Sequence, residues 1–390
     1  MMDDESALAV AALIDTAHPL KREASEWART SLADTSLPQR DRDASFWAEG
    51  WARLAERGTF RIMAPVEYGG EGRPLVAQLL ELEGLGHGCA DNGLVFAAGA
   101  QIWSTQNALV RYGTAAQKQR YLAGLVSGQR RGAFCMSEPE SGSDAFALGT
   151  RAERVDGGYR LDGHKTWVTF GPVADFFVVF ASTRPDAGQW GISAFVVDAD
   201  RSGVEVGANR EKMGYRTTPF GDVIFDGCFV PDEQVLGQPG AGAAMFSAVI
   251  DDERTYLFAG ELGAMERVID EGVDFARSRH QSGHPIGDFQ AVSHRLATMK
   301  LRHETARSLL YRTALAAAHG RPITMLSALS KLCSTESAVA SALDAVRLRG
   351  ARGYVSEYEV ERELRDAVGG LFTSGTSDVQ RNIVARLLGL

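Results

Sequence analysis

The feature that most constrains this chain is a change of period in its middle. Up to about residue 130 apolar residues recur at helical spacing, as in "DRDASFWAEGWARLAERG", which ends on a glycine stop. From 131 to about 235 they come as short β-rich runs: "FFVVFAST", "ISAFVVDA", "GVEVG" and "DVIFDGCFVP". From about 239 the helical spacing returns and lasts to the end. A β block between two helical stretches implies a mainly α chain with an inserted β domain. The expected division is 1–130 as an N-terminal helical domain, 131–236 as a middle β domain and 237–390 as a C-terminal helical bundle domain. The 390 residues suffice for that many packed domains.

Within these blocks several local expectations follow. "APVEYGGEGRP" at 64–74 is a loop, and "AAQKQRYLAGLVSG" at 115–128 is a short amphipathic helix. In "GYRLDGHKTWVTF" the pair Asp162-Gly163 is a hairpin signal. One long helix is expected over about 241–278. Another, 288–319, carries Val292, Leu296, Met299, Ala306, Leu310, Ala314 and Ala317 on one stripe, the seam of a bundle. His303 falls on that stripe and reads as a packed core histidine rather than a ligand.

Composition narrows the function. A net charge of -9 argues against a nucleic-acid partner, and the scattered basic residues offer no polybasic membrane anchor. "MMDDESALAV" is acidic without a secretory core, and "FFVVFA" is too short to span a bilayer. Cys89, Cys135, Cys228 and Cys333 lie far apart with no C-x-x-C, so neither a metal site nor a disulfide framework is expected, and a reduced cytoplasmic location is.

Four stretches carry chemistry. "AFCMSEPESGSDAF", 133–146, runs from a β segment into a turn of small hydroxyl residues and glycine. Such a turn presents N–H groups and hydroxyls to a polar ring or phosphate, and it equally fits a solvated loop. In "HKTWVTF" a strand would point Trp167 and Thr169 the same way, which suits a flat heteroaromatic ligand as well as a β core. The stretch 251–292 is helical, interrupted at "SGHPIG", then helical again, with Arg279 placed to pair with a pyrophosphate and Asp251, Asp252, Glu253 and Glu261 as candidate acids. In "FTSGTSDVQRN", Ser377 with Gln380 fits a capping box, and Asp378 sits where a helix dipole favours an anion.

Together these stretches resemble the acyl-CoA dehydrogenase family over nearly the whole chain. "SEPESGSD" is similar to its T-E-P-x-x-G-S-D, and "GHKTWVT" to its G-x-K-x-W-I-T. "RSRHQSGHPIGDFQAV" is similar to R-x-x-F-G-x-x-I-x-x-F-Q, and "SGTSDVQRNIVAR" to E-G-T-S-x-I-Q-R-x-I-x-R. The resemblance implies a β-barrel-like middle domain, a C-terminal four-helix bundle, bound FAD, and a homodimer or homotetramer. It implies that Phe134, Cys135, Met136, Ser137, Gly142, Ser143, Trp167, Val168 and Thr169 line the flavin. Arg279 and Gln290 would reach the FAD of the neighbouring subunit, and Thr376 and Asp378 would hold the other end of the cofactor. Ser143, Asp251 and Arg254 would lie along the thioester's pantetheine arm.

Three departures bear on how FAD is clasped. Ser282 stands where the family has an aromatic. "RLRGARGY" stands for Q-x-x-G-G-x-G-Y, so Arg347 replaces a glutamine beside Gly350, and Ala351 replaces a glycine. A guanidinium at 347 can still bind a phosphate. A fourth departure touches the reaction itself. The residue before Gly-Thr-Ser is usually the glutamate that removes the substrate's α proton; here it is Ser374. Ser374 retains the backbone N–H that would hold the thioester carbonyl. Isovaleryl-CoA dehydrogenase and some other members carry the glutamate on the helix after the β domain, a position that falls on Glu253. The resemblance therefore implies FAD-dependent α,β-dehydrogenation of an acyl or aminoacyl thioester, with Glu253 as base. "MKLRHETARSLLYRTA" and "SGTSDVQ" also look like prolyl-carrier-protein dehydrogenases of natural-product pathways. The alternatives are an ordinary short- or branched-chain acyl-CoA substrate, a flavin monooxygenase on the same fold, and a non-catalytic FAD-containing scaffold. The electron acceptor, an electron-transfer flavoprotein or oxygen, is not legible.

Overall fold

The computed structural model describes residues 4–390; the first three residues of the acidic N-terminal stretch lie outside them. The N-terminal part is helical: α1 (Asp4–Ile14), α2 (Pro19–Ser31), α3 (Leu37–Asp43), α4 (Ala48–Arg57), α5 (Leu75–Gly88), α6 (Asn92–Ala100), α7 (Asn107–Tyr112), α8 (Ala115–Gln117) and α9 (Ala123–Val126). Gly58 ends α4 at φ 90°, its N–H on the Leu54 and Ala55 carbonyls, so the expected glycine stop is a C-cap. The expected helix at 115–128 forms, with a wider π-helical turn at Lys118–Leu122 in its middle. A second π-helical turn, Gln101–Gln106, joins α6 to α7. The 64–74 segment is a loop with one 3-10 turn.

α5 runs through the centre, and its neighbours touch it closely. A Cβ on Gly86 would lie 1.9 Å from the Gly260 carbonyl oxygen, and one on Gly84 would lie 2.3 Å from that of Lys21. Only glycine lets the backbones meet at this distance. The same helix buries Glu83, which accepts from Arg307 at 2.7 Å and Tyr311 at 2.5 Å and pairs with Lys21 at 3.1 Å. Burial alone would raise the Glu83 carboxyl; the two cations outweigh it and hold it at about 2. Lys21 also pairs with Glu266, and His303 lies fully buried beside both carboxylates. This network ties the N-terminal helices to the C-terminal ones.

The middle part is an eight-stranded sheet in the order β6-β7-β3-β2-β4-β5-β8, with β1 paired to β4. Its strands are β1 (Gly132–Cys135), β2 (Arg151–Val155), β3 (Gly158–Thr169), β4 (Phe176–Ser182), β5 (Ile192–Asp198), β6 (Val204–Val206), β7 (Phe220–Pro231) and β8 (Val235–Leu236). Every residue of β4 is buried, which explains its unbroken apolar run. One face (Phe177, Val179) packs on Leu161 and Phe225, the other (Phe176, Val178) on Leu109, Tyr121 and Val249.

The hairpin expected at Asp162-Gly163 is displaced. β3 runs straight through that pair, and the turn is six residues earlier, at Asp156-Gly157, between the partners Val155 and Gly158. Gly157 has φ 73°. Gly163 instead relieves crowding inside the strand. The β3–β7 register shifts between Leu161 and Gly163, and a Cβ at 163 would lie 2.3 Å from Thr150 Oγ1. Both dipeptides carry the turn signal; only the strand partners distinguish them.

The C-terminal part comprises α10 (Gly242–Tyr256), α11 (Ala259–Ser278), α12 (Gln290–Ala318), α13 (Thr324–Arg349), α14 (Ala351–Tyr354), α15 (Val360–Gly370) and α16 (Ser377–Leu387). The long helix expected over 241–278 is two helices. The break falls at Leu257-Phe258, where Phe258 has ψ 5° and no proline intervenes. α11, α12, α13 and α15 pack as a bundle. Met299, Ala306, Leu310 and Ala314 of the expected stripe are fully buried, Val292 and Leu296 partly so. At the "SGHPIG" interruption, His280–Gln281 (β9) and His284–Pro285 (β10) form a small hairpin. Its turn residues Ser282 and Gly283 have φ 54° and 85°, so Ser282 occupies a tight turn where the family has an aromatic. Among the described residues no helix is long and apolar enough to cross a membrane.

Candidate active site

A cavity of about 540 Å³ opens where the three parts meet. Its walls are the π-helical turn after α6, the end of β1 with the loop following it, the end of β3, α10, and the segment leading into α16. The size is ordinary for a small-molecule or cofactor site.

The loop after β1 is held from behind. Lys165 on β3 is completely buried; its Nζ donates to Glu138 Oε1 at 2.7 Å and to the Met136 carbonyl at 3.1 Å. Glu138 also accepts from the backbone N–H groups of Gly149 and, at 3.0 Å, Thr150. Burial pushes the Glu138 carboxyl up, but Lys165 and these donors more than offset it and hold it below the ordinary carboxylate range. The turn closes with paired backbone bonds between Glu138 and Ser141 at 3.0 and 3.1 Å. So the Glu of "SEPESGSD" and the Lys of "GHKTWVT" form one clamp, which presents Met136, Ser137, Gly142 and Ser143 to the cavity.

At the end of β3 the β7 register shifts again between Lys165 and Val168, and Trp167 takes φ 58°. Trp167 and Thr169 both line the cavity, as strand alternation leads one to expect, although the bulge sets the indole's direction. Arg210 lies 4.9 Å over the Trp167 ring and pairs with Asp222, which also accepts from Thr166 at 2.8 Å. Trp167 and Phe372, 53% and 65% exposed, are large apolar side chains that line the same cavity.

On the far wall, α10 supplies Glu253 and Arg254. Among the described residues Glu253 is the one carboxylate lining the cavity. Its Oε1 accepts from the Ser374 hydroxyl at 2.6 Å. Burial raises its pKa, and the Ser374 bond and the Arg254 charge offset this only in part. Arg254 is buried, its Nε without a partner among the described residues, while its Nη1 lies 3.4 Å from Asp251. Ser374 and Gly375 both have positive φ, 54° and 90°. Their N–H groups make no hydrogen bond to any described residue, which leaves two adjacent donors at the cavity wall. Gln380 Nε2 holds the turn by donating to the Ser374 and Gly375 carbonyls at 3.2 and 3.0 Å.

The helix cap differs from the expected box. Thr376, not Ser377, is the N-cap of α16, its Oγ1 accepting from the Val379 N–H at 3.2 Å. The reason is backbone: Thr376 has ψ 162°, outside the helix, while Ser377 already lies within it.

Phe134, Met136, Ser137, Gly142, Ser143, Trp167, Thr169, Glu253, Arg254, Ser374 and Thr376 thus meet at one cavity. Cys135 and Val168 do not bring their side chains there. Strand alternation turns both into the core, 0% and 1% exposed, and burial pushes the Cys135 thiol up to about 12. Asp378 points to solvent and accepts from Arg381 at 2.9 Å. Asp251 is engaged by Thr324 at 2.7 Å, one layer behind the wall. Arg279, Gln290, Arg347 and Gly350 lie on an outer surface, away from this cavity. Sequence reasoning missed Gln101, Ser104 and Thr105 on the π-helical turn, which face the cavity from the other side. Their signal was present: Gln101 and the run Ser104-Thr105-Gln106-Asn107 interrupt an otherwise apolar helical stretch.

The residues fit a flavin ring. A flat apolar approach (Trp167, Phe372), hydroxyl donors on the loop, free N–H groups at Ser374 and Gly375, and an open face at Gly142, where a Cβ would meet nothing within 4 Å, are what such a ring requires.

Comparison with known proteins agrees. The models for the acyl-CoA dehydrogenase N-terminal, middle and C-terminal domains match residues 15–129, 133–228 and 240–389. The L-prolyl-[peptidyl-carrier protein] dehydrogenase of Pseudomonas fluorescens Pf-5 is 43% identical over 346 residues, 88% of this chain and 91% of the relative. The crystal structure of the prolyl acyl carrier protein oxidase AnaB superposes with TM-score 0.93 at 36% identity, covering 95% of this chain and 98% of that one. The FAD complex of PigA does so with TM-score 0.92 at 33% identity, covering 96% and 98%. The chain belongs to the acyl-CoA dehydrogenase family, FAD-dependent oxidoreductases that act on the CH–CH bond of an acyl thioester.

Proposed function

We propose that this enzyme dehydrogenates an aminoacyl thioester, a prolyl group or a close relative of it, carried on a peptidyl carrier protein, with Glu253 as the general base. The observation that carries the base assignment is that Glu253 is the one described carboxylate on the cavity wall, where the usual glutamate position holds Ser374. Burial keeps Glu253 above its ordinary pKa, nearer the working range of a base that must take a carbon-bound proton. In this reading the Ser374 N–H, which has no partner among the described residues, donates to the thioester carbonyl and makes the α proton more acidic. Ser143 and the buried Arg254 line the route for the pantetheine arm, with Asp251 behind Arg254. Bound FAD supplies the acceptor for the β hydrogen. Ser137, Thr169, Trp167 and Thr376, which line the cavity, would hold it on this subunit's side.

The carrier-protein reading rests on likeness to the prolyl-carrier-protein dehydrogenase and to AnaB. Arg279, Gln290, Arg347 and Gly350 stand on an exposed face, near the exposed Phe289 and Tyr354. This supports an assembly of two or four copies in which that face reaches the neighbour's FAD. Four free cysteines, three of them buried and Cys333 partly so, support a reduced cytoplasmic location.

The test is anaerobic stopped-flow reduction of FAD by a prolyl-loaded peptidyl carrier protein and by isovaleryl-CoA. Glu253→Gln should slow reduction by about 10²-fold or more with FAD still bound. Reduction at the wild-type rate would overturn the base assignment. Equal or faster turnover of the CoA thioester would return the enzyme to the acyl-CoA class.

A further inference from the structure

Ser374 does more than present a backbone N–H. We propose that its hydroxyl is a positioning group for Glu253, fixing the carboxylate's orientation in the cavity and favouring its ionised form. The proposal rests on Glu253 being the base and goes beyond that assignment.

The geometry is specific. Ser374 Oγ donates to Glu253 Oε1 at 2.6 Å, the separation of a short charge-assisted bond. Ser374 is held in the left-handed region at φ 54°, an uncommon place for a residue with a Cβ. Gln380 locks that turn through the carbonyls of 374 and 375. The backbone is therefore pinned independently of the side chain, and the hydroxyl leaves a rigid base. Glycine would take this φ without strain, so what serine adds is the hydroxyl. Only one oxygen of Glu253 is engaged, and Oε2 has no protein partner among the described residues. That leaves Oε2 to accept the substrate proton.

The charged surroundings are sparse. On its own helix Glu253 has Arg254, whose Nη1 is 3.4 Å from Asp251, and Asp252, which is tied to Arg111 at 2.6 Å and Asn107 at 3.0 Å. From α13, Lys331 is held by the Leu371 carbonyl at 3.1 Å. The π-helical turn after α6, the loop after β1 and residues 372–376 bring no ionisable side chain to the cavity. With Arg254 shared with Asp251, the Ser374 hydroxyl is, among the described residues, the one direct hydrogen-bond donor to the carboxylate. A donor to the ionised form lowers a carboxyl pKa, in opposition to burial. Removing it must move the titration of Glu253 upward.

The test compares wild type, Ser374→Gly, Ser374→Ala and Glu253→Gln as FAD-loaded enzymes, with the prolyl-loaded carrier protein as probe. The rate of flavin reduction at saturating substrate is measured from acid to alkaline pH. The base works ionised, so the rate falls as pH drops through its pKa. Both serine variants should shift that acid limb upward by about one pH unit, the order of one hydrogen bond to a charged group. The shift should appear in the rate and not in the substrate concentration at half-saturation. A second readout needs no turnover: difference infrared titration of the protonated carboxyl band that Glu253→Gln abolishes, which should shift by the same amount in the FAD-free protein. A Ser374→Gly limb that coincides with wild type overturns the proposal. So does a shift confined to Ser374→Ala, which would trace it to backbone strain. If Glu253→Gln itself retains the wild-type rate and limb, the base assignment has failed instead.

Discussion

Lys165 is where the structure makes its most testable claim about how the cavity is built. Lys165→Met removes a fully buried ammonium and strands Glu138, 6% exposed at its side chain, without its cation. Breaking a buried pair from one side typically costs about 3–5 kcal/mol. Two features place this case at the lower end: Glu138 keeps the N–H donors of Gly149 and Thr150, and methionine fills the lysine's stem volume. Taking about 3 kcal/mol and an unfolding entropy of about 2 cal/mol/K per residue, the midpoint should fall by about 4 °C for 390 residues. The assay is thermal unfolding by circular dichroism at a fixed excess of FAD, since ligand occupancy itself moves the midpoint. Because the clamp holds the Met136–Ser143 loop, FAD should also dissociate faster from the variant. Glu138→Gln/Lys165→Met removes both charges and keeps an acceptor for the two N–H groups, so it should recover at least half of the loss. A Lys165→Met midpoint within about 1 °C of wild type would refute the reasoning, because an unpaired buried carboxylate cannot be that cheap.

Two further outcomes follow. Burial pushes Glu261 and Asp366 each up to about 7, with the Tyr215 hydroxyl and backbone N–H, respectively, as partial compensation. Their folded pKa values lie above their unfolded ones, so the native state binds more protons between about pH 4 and 7. Stability should therefore fall as pH rises through that window and level off above it; a denaturant midpoint equal at pH 5.5 and pH 8 would contradict this. Gly86→Ala should destabilise the protein by about 1–3 kcal/mol, since the new Cβ would lie 1.9 Å from the Gly260 carbonyl oxygen and must part α5 from α11. Equilibrium urea unfolding reads it.

Much of the architecture was legible because it is written in local periods. Alternation and unbroken apolar runs mark strands, and the stripe on α12 marks a bundle seam, each within a window of a few turns. What local windows could not separate was which of two similar signals a partner would use. Asp156-Gly157 and Asp162-Gly163 are equally good turn pairs, and strand pairing selected the first while Thr150 crowded the second into a bulge. The break between α10 and α11 carries no proline, so the composition of the segment does not announce it. Cys135 and Val168 sit inside binding motifs yet face the core, since a motif marks a stretch of backbone and alternation decides each side chain.

The sequence alone determined the three-part order, the flavin-type motifs, and the absence of a carboxylate at 374 with the presence of one at 253. All of these are read from residue identity and spacing. Only the tertiary structure decided that Lys165 and Glu138 form one clamp, that Trp167 reaches the cavity through a bulge, and that Ser374 donates its hydroxyl to Glu253. That last contact joins residues 121 positions apart, and its direction follows from a left-handed φ that serine does not favour by itself. Such a bond arises from packed elements holding two backbones at one distance and angle, information that no local stretch of the chain contains.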